Sequence, residues 1–345
     1  MINVLIVDDS LTTRRYLSYL IEQDSVLHLA AEAKNGREAV SLAASARPDV
    51  IIMDIQMPGM DGYIATRKIM ETNPVPIVMH SCLLAPEQAE NIFEAMQAGA
   101  VAVVEKPAGL GSPESRPMVE KLLRTVKLMA EVKVVRRLRQ KNPRAPFRPV
   151  DQLIQTRKGA QTQVIAIGAS TGGPPVLQHI FSQLPADFPI PITVSQHIAA
   201  GFLPGMLHWL AKETPLSLTV AKTADRLQAG SVVFSPEEES LSIAPDGRLA
   251  LSQCGGRGSF KRPITHLFQS VARSFGPRAV GILLTGMGSD GAAGLKEMQS
   301  AGARTLAQDR ETSTVFGMPA EAIKLDAVQY VLSPAEIAEF LKGLA

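Results

Sequence analysis

The chain has 345 residues, of which 46% are hydrophobic and 20% are charged, a composition typical of a soluble globular protein. This length is sufficient for two domains, each with its own core. No apolar stretch approaches the roughly 18 residues of a membrane span, and the N-terminus lacks a signal-peptide pattern, so we expect a cytoplasmic protein.

The formal net charge of +2 is unevenly distributed along the chain. Residues 1–120 contain 9 basic and 16 acidic side chains, residues 121–160 contain 12 and 2, and residues 161–345 contain 14 and 15. The basic stretch includes RRLRQKNPRAPFRP, whose three prolines predict a linker. Because no aromatic or recognition-helix pattern accompanies the charge, we expect no nucleic-acid binding. The expected organisation is a domain at 1–125, a basic linker at 126–160 and a domain at 161–345.

The first domain alternates short apolar runs with helical periodicity. The predicted strands are 4–7, 29–33, 50–53, 77–79 and 101–104, and the predicted helices are 11–22, 37–46, 64–71, 87–97 and 118–133. This alternation predicts a doubly wound parallel sheet covered by helices on both faces. In such sheets, ligand sites lie at the carboxyl ends of the strands.

Polar residues follow four of these predicted strands. Asp8 and Asp9 follow the first strand, Asp54 the third, Ser81 the fourth and Lys106 the fifth. Three carboxylates at one edge repel one another, and oxygen ligation of a hard divalent ion such as Mg²⁺ resolves the repulsion. A lysine and a hydroxyl at the same edge suit a phosphoryl group. A single aspartate after a strand is ordinarily a helix cap, but the combination favours a functional site.

These residues give the first domain a recognisable pattern. Asp8-Asp9, the segment MDIQMPGMDG, Ser81 and Lys106 with its following proline resemble the receiver domain of two-component response regulators. The resemblance implies a flavodoxin-like fold. One position departs from the pattern: three residues before the lysine, where receivers commonly carry an aromatic switch residue, the chain has Val103.

The receiver resemblance also implies the chemistry of this domain. Asp54 would be the residue phosphorylated by a histidine kinase. Asp9, Asp54 and the carbonyl of Gln56 would bind Mg²⁺, with Asp8 assisting. Lys106 would contact the phosphoryl oxygens, and the hydroxyl after the fourth strand would act as the switch.

The second domain repeats the α/β alternation. Its predicted strands are 164–167, 192–195, 217–220, 231–234, 241–243, 279–284, 304–307 and 328–331, and its predicted helices are 174–183, 203–212, 264–275, 291–301, 317–325 and 334–342. This pattern predicts a mostly parallel, Rossmann-like α/β domain.

Two glycine-rich turns in this domain compete as functional sites. GASTGG at 168–173 contains G-x-S-x-G, and GMGSDG at 286–291 fits the dinucleotide fingerprint G-x-G-x-x-G, with Asp309 as an acidic residue further on. Asp290 within the second turn would repel a pyrophosphate, and Asp309 is displaced and lies beside Arg310. The dinucleotide interpretation is therefore disfavoured but stays open.

The first turn suits a nucleophilic serine, which needs a base and an orienting acid. Ser170, His197 and Asp290 each follow a predicted strand, while the other histidines lie in predicted helices or in the first domain. Each alone could be a helix cap or a loop histidine, but their joint placement favours a triad. The order Ser, His, Asp differs from that of α/β-hydrolases.

Four motifs in this domain resemble the catalytic domain of chemotaxis protein-glutamate methylesterases. They are GASTGG, SQH followed by Phe202, the segment Lys261-Arg262-Pro263, and TGMGSDGAAGL, in that family's order. The arrangement of receiver then esterase is also that of the family. The stretch FSPEEESLSIAPDGR departs from the usual pattern.

This second resemblance implies a mechanism and partners. Ser170 would be the nucleophile, His197 the base and Asp290 its orienting acid, with backbone amides near Thr171 and Met287 forming the oxyanion hole. The enzyme would hydrolyse glutamate methyl esters, and deamidate glutamines, on the cytoplasmic helices of methyl-accepting chemoreceptors. We expect a monomer whose esterase step needs no cofactor and whose unphosphorylated receiver covers the cleft.

Two other classes of protein share some of these features. A DNA-binding response regulator would explain the receiver and the basic linker, but it needs a basic helical module, whereas residues 161–345 are nearly neutral. A receiver fused to a nucleotide-binding module would explain GMGSDG and leave His197 unused.

Overall fold

The structure is a computed structural model that describes residues 1–81, 94, 96–107, 115–132, 134, 161–198, 201–253 and 262–345. The chain divides into two compact units, Met1–Pro143 and Arg144–Ala345. Within the described ranges, no helix combines the length and hydrophobicity that a bilayer crossing requires.

The first unit contains a five-stranded parallel sheet in its described part. Its strands are β1 (Ile2–Val7), β2 (Leu27–Ala33), β3 (Val50–Asp54), β4 (Ile77–Ser81) and β5 (Ala102–Glu105). Its helices are α1 (Leu11–Glu22), α2 (Gly36–Ser45), α3 (Gly62–Thr72) and α4 (Ser115–Ala130). The strand order β2-β1-β3-β4-β5 is that of a doubly wound flavodoxin-like domain, in which strands follow on both sides of β1. The predicted fold is confirmed.

The second unit, in the part that the structure describes, is built on a seven-stranded parallel sheet. Its strands are β6 (Val164–Ala169), β7 (Ile192–Gln196), β8 (Ser217–Val220), β9 (Ser231–Phe234), β12 (Ala279–Leu283), β13 (Arg304–Gln308) and β14 (Tyr330–Leu332). The order is β14-β13-β12-β6-β7-β9-β8, and every pair is parallel. This sheet confirms the predicted mostly parallel α/β class.

Helices of the second unit match the predicted periodic segments. They are α5 (Gly173–Phe181), α6 (Leu203–Ala211), α7 (Pro263–Phe275), α8 (Ala292–Ser300), α9 (Met318–Lys324) and α10 (Pro334–Lys342). Phe268 of α7 is fully buried in the core between helix and sheet. A glycine lets α8 approach α7 closely, because a Cβ at Gly294 would lie 2.8 Å from Phe268 Cβ and 2.7 Å from Thr265 O. This contact fixes the beginning of α7.

Two remaining strands form a hairpin outside the main sheet. Strand β10 (Glu239–Ile243) pairs antiparallel with β11 (Leu249–Gln253). The apolar pattern of the sequence predicts β10, at residues 241–243, but not β11. A hairpin signal was present in Asp246-Gly247, where Gly247 has φ +81°, because Asp-Gly favours tight turns between strands.

Other differences from the predicted elements concern their ends. Strands β3, β4, β7 and β13 each extend to a polar residue that continues the ladder: Asp54, Ser81, Gln196 and Gln308. Most of the predicted helix at 87–97 lies outside the described residues. Helix α4 ends at Ala130, inside the segment predicted as linker, and the domain boundaries themselves stay predictions.

Truncation of a core phenylalanine tests this packing. We expect Phe268→Ala to lower the unfolding free energy of the second unit by about 3–5 kcal/mol, because it removes buried area and leaves a cavity. Trp209 is the only tryptophan of the chain and is buried in α6, so its fluorescence during urea unfolding reports on this unit. The control Leu325→Ala, at a side chain that is 47% exposed, should change the value by about 0.5 kcal/mol or less. Equal effects of the two variants would contradict the assigned core.

Candidate active site

The acidic residues predicted in the first unit come together at the carboxyl end of its sheet. Asp8, Asp9 and Asp54 each offer a carboxylate oxygen, and these oxygens lie within 4.8 Å of one another. Lys106 Nζ lies 2.9 Å from Asp8 Oδ2 and 2.8 Å from Asp54 Oδ2. Ser81 is close to the lysine, since its carbonyl accepts the Lys106 N–H at 2.7 Å. Three aspartates, two of which contact the lysine, thus form a cluster of oxygen donors that fits a divalent cation.

Electrostatic shifts in this cluster point to the same conclusion. Burial raises the pKa of Asp54 above its usual value, the Asp8 carboxylate adds to the rise, and the ion pair with Lys106 only partly offsets it. Burial by itself would lower the pKa of Lys106, but its contacts with Asp54 and Asp8 outweigh burial and raise it. The lysine is therefore charged, and it contacts two of the three carboxyl groups in the cluster. The Gln56 backbone N–H donates to Asp54, so the backbone of the predicted ligand residue lies next to the cluster.

A buried histidine lies next to Asp8 in this cluster. The sequence alone did not assign it to the site. His80 is fully buried in β4, and its Nε2 is 3.3 Å from Asp8 Oδ2. Burial, together with the nearby Lys106 charge, lowers the pKa of His80 to about 3, so the ring is neutral at physiological pH. It therefore adds no positive charge to the cluster.

In the second unit, three neighbouring strands bring the predicted triad residues to one edge. Ser170 directly follows β6 and His197 directly follows β7, which pairs with β6 through Ala169 and Gln196. Strand β12 pairs with β6 on its other side, and Ser170 N donates to Thr285 O in the loop after β12 at 3.0 Å. Parallel pairing thus places the ends of all three strands together.

Asp290 is held at the beginning of helix α7. Its Oδ1 accepts hydrogen bonds from the Thr265 N–H at 2.9 Å, the Thr265 hydroxyl at 2.7 Å and the Gly291 N–H at 2.8 Å. Its Oδ2 accepts from the Ile264 N–H at 3.1 Å. Burial opposes ionisation, but hydrogen bonds from His197 and Thr265 outweigh it and lower the pKa of Asp290. The carboxylate is therefore ionised, and the positive end of the helix dipole favours this state.

His197 contacts this carboxylate directly. His197 Nε2 lies 2.8 Å from Asp290 Oδ2. Because the ionised carboxylate can only accept, Nε2 carries the proton and the lone pair of the neutral ring is on Nδ1. The described contacts contain no hydrogen bond from Ser170 Oγ to the ring, a contact that is often long when no substrate is bound.

Gln196 connects the serine and the histidine through their backbones. Its Nε2 donates to the carbonyl of Ser170 and to the carbonyl of His197, each at 2.9 Å. The side chain is buried, and a Cβ at Gly173 would lie 2.3 Å from its Oε1. Sequence reasoning missed both Gln196 and Thr265. Gln196 stands next to His197, whereas Thr265 is an ordinary helix residue that carries no motif signal.

The two glycine-rich turns meet at Ser170. A Cβ at Gly286 would lie 2.6 Å from Ser170 Cβ, and Gly172 has φ +80°, so both turns require glycine at these points. Within the described hydrogen bonds, neither the Thr171 amide nor the Met287 amide has an acceptor. These two backbone donors remain the predicted oxyanion hole.

The dinucleotide interpretation of the second turn receives no support from this geometry. The Gly291 amide, which would face a phosphate, donates to Thr265 Oγ1 and Asp290 Oδ1, each at 2.8 Å. Asp309, the expected ribose ligand, accepts the Thr312 N–H at 3.0 Å and thereby stabilises a local turn. A pyrophosphate at this turn would meet the buried Asp290 carboxylate.

Comparison with known proteins agrees with both halves of the chain. A family model described as CheB methylesterase matches residues 165–341, and a response regulator receiver domain model matches residues 4–112. The protein-glutamate methylesterase/protein-glutamine glutaminase 4 of Geobacter metallireducens is 43% identical over 348 residues, covering 100% of this chain and 99% of the relative. The chain belongs to the CheB methylesterase family. The corresponding protein of Nitrosospira multiformis is 40% identical, covering 100% of this chain and 97% of the relative.

A solved structure of the CheB methylesterase family shares the fold of the second unit. The crystal structure of the Thermotoga maritima CheB methylesterase catalytic domain is 31% identical, with a TM-score of 0.51, and the match covers 54% of this chain and 100% of that one. The resemblance stated from sequence motifs is therefore confirmed at the level of family and fold.

The pairing of His197 with Asp290 predicts the reactivity of Ser170. We expect a fluorophosphonate probe to label Ser170, and Asp290→Asn to slow the labelling about 10³- to 10⁴-fold, because the amide cannot hold the imidazole in the reactive tautomer. The labelling rate can be measured by mass spectrometry of the intact chain.

Two variants complete that measurement. Ser170→Ala should not be labelled at all. Asp246→Asn, at an exposed turn of the hairpin, should react within about twofold of the wild-type rate, since its carboxylate contacts Arg248 outside the site. Normal labelling of the Asp290→Asn protein would contradict the assigned role of this carboxylate.

Proposed function

We propose that the chain is a phosphorylation-regulated protein-glutamate methylesterase with protein-glutamine glutaminase activity. Its substrates would be methylated glutamates and certain glutamines on the cytoplasmic helices of chemoreceptors, in sensory adaptation. The observation that carries this proposal is the His197–Asp290 pair at 2.8 Å, at the sheet edge where Ser170 follows β6, in a chain of the CheB methylesterase family. The named activities of the relatives support it.

In the first step, Ser170 Oγ attacks the carbonyl carbon of the ester and its proton moves to His197 Nδ1. Asp290 keeps Nε2–H oriented and stabilises the imidazolium that forms. The amides of Thr171 and Met287 donate to the oxyanion of the tetrahedral intermediate. Collapse of the intermediate breaks the bond to the methoxy group, which takes the proton from Nδ1 and leaves as methanol.

Hydrolysis of the acyl-enzyme repeats this proton transfer with water. His197 Nδ1 accepts a proton from the water molecule, whose oxygen attacks the acyl carbon. The second intermediate releases the glutamate side chain, and Ser170 Oγ regains its proton from the ring. With a glutamine substrate, ammonia replaces methanol as the leaving group. None of these steps requires a metal ion or an organic cofactor.

The receiver domain would control this activity through Asp54. A histidine kinase would supply the phosphoryl group, and Asp8, Asp9, Asp54 and the carbonyl of Gln56 would hold the Mg²⁺ that neutralises the charge in transfer. Lys106, already in contact with Asp54 at 2.8 Å, would then pair with the phosphoryl oxygens, and the Ser81 hydroxyl would respond to them. We further propose that the unphosphorylated receiver restrains the esterase, in a cytoplasmic protein that acts as a monomer.

Methanol release tests the proposed activity. Membranes carrying methylated chemoreceptors should release methanol with the wild-type protein, and Ser170→Ala should lower the rate by about 10⁴-fold or more, because the members of a triad act as a unit. The measurement is gas chromatography of the released methanol over time. An unchanged rate in the Ser170→Ala protein would exclude Ser170 as the nucleophile.

Phosphorylation should raise the same rate. An acyl phosphate and Mg²⁺ should increase methanol release by about 10-fold, a typical coupling between two sites, and Asp54→Asn or chelation of Mg²⁺ should remove the increase.

A protein comprising only residues 161–345 should release methanol faster than the unphosphorylated full chain. If the two are equally fast, the receiver does not restrain the esterase.

A further inference from the structure

The carboxylate of Asp290 has two differently used oxygens. Oδ2 lies 2.8 Å from His197 Nε2 and also accepts the Ile264 N–H at 3.1 Å, whereas Oδ1 accepts the Thr265 hydroxyl at 2.7 Å. The rotation of the carboxylate about its Cβ–Cγ bond decides which oxygen meets the ring. Hydrogen bonds to Oδ1 therefore contribute to the geometry of the Asp290–His197 pair, although Oδ1 does not contact the ring nitrogen itself.

The hydrogen of the Thr265 hydroxyl has a determined direction. The hydroxyl oxygen accepts the Gly291 N–H at 2.8 Å, so its single hydrogen is available for Asp290 Oδ1. Thr265 is 8% exposed, so bulk water competes little for either bond. The hydroxyl thus links the beginning of α7 to the turn before α8, with Asp290 between them.

We propose that Thr265 is a positioning residue of the esterase. Its hydroxyl fixes the rotation of the Asp290 carboxylate, so that Oδ2 receives the Nε2 proton of His197 and the Nδ1 lone pair is directed to the site of Ser170. This inference rests on the proposed roles of Ser170, His197 and Asp290 in ester hydrolysis. Thr265 itself touches neither the substrate nor the reacting atoms.

The backbone contacts of the site separate this role from a role in folding. When Thr265 becomes valine, Asp290 Oδ1 keeps the N–H groups of residue 265 and of Gly291, at 2.9 Å and 2.8 Å in the native chain. The Gly291 N–H keeps Asp290 Oδ1 as an acceptor. No buried polar group is left without a partner, and valine has nearly the same shape as threonine. The substitution should therefore change the orientation of the carboxylate more than the stability of the fold.

The chain offers a matched control for the loss of a buried threonine hydroxyl. Thr305 in β13 is fully buried, and its hydroxyl has no hydrogen-bond partner among the described residues. Thr305→Val removes the same chemical group from the same domain without touching Asp290. Any effect that both valine variants share is a general effect of the substitution.

The test compares Thr265→Val, Thr265→Ser and Thr305→Val in the full-length chain. For Thr265→Val we expect kcat for methanol release to fall about 10- to 100-fold with KM within about twofold of wild type, because only the catalytic geometry is loosened. Thr265→Ser, which keeps the hydroxyl, should recover kcat to within about threefold, and Thr305→Val should match wild type. Urea unfolding followed by Trp209 fluorescence should show similar midpoints for all four proteins.

Two further readouts do not depend on the identity of the substrate. The downfield NMR signal of the His197 Nε2 proton should move upfield or broaden in Thr265→Val but not in Thr305→Val, because its bond to Asp290 is weakened. The rate of fluorophosphonate labelling of Ser170 should fall in parallel with kcat. If wild type releases no methanol from receptor membranes, the proposed function fails, while these two measurements still test Thr265.

Specific results would overturn the role of Thr265. Wild-type kcat and an unshifted His197 proton signal in Thr265→Val would show that the backbone N–H groups orient Asp290 by themselves. A Thr265→Ser protein as slow as Thr265→Val would show that the methyl group, through packing, and not the hydroxyl, is responsible.

Discussion

Parallel pairing of β6 with β7 on one side and β12 on the other is the constraint on which the proposed esterase site depends. In a parallel sheet, all strands end at the same edge. Strand pairing therefore brings residues that are distant in sequence together at this edge, even where they make no direct contact with one another. Ser170 and His197 are each the first residue after their strand, which leaves them little freedom to separate. Asp290 lies farther from β12 and needs a second support, which the beginning of α7 provides.

The two units place buried carboxylates in opposite electrostatic situations. Asp290 is surrounded by hydrogen-bond donors, which lower its pKa in spite of burial, so it is a stable anion that can orient an imidazolium. Asp54 is buried next to Asp8, and its pKa is raised although Lys106 lies 2.8 Å away. Hydrogen-bond donors stabilise the charge of Asp290 without a cation, whereas the cluster around Asp54 favours the binding of a cation. An aspartate can therefore be a stable anion in one domain and part of an acidic cluster with a raised pKa in the other.

Periodicity predicted most of the fold because both sheets are parallel and buried. Their strands read as short apolar runs between amphipathic helices, and the described helices were found within a few residues of their ends. The hairpin formed by β10 and β11 was only half predicted, because its polar and half-exposed second strand, LALSQ, lacks the apolar run of a buried strand. Some predicted strands end too early, because a polar residue such as Asp54 or Gln196 still pairs with the neighbouring strand.

The sequence by itself determined the class of both domains and placed Asp54, Ser170 and His197 at or next to strand ends and Asp290 in the loop after β12, since alternation and turn glycines are local properties of a chain. Only the tertiary structure decided which ring nitrogen of His197 meets Asp290, and it revealed the contacts of Thr265 and Gln196. The physical reason is that hydrogen bonds depend on direction and on tenths of an ångström. Those quantities follow from how α7 packs against α8 and the sheet, and no local pattern encodes them.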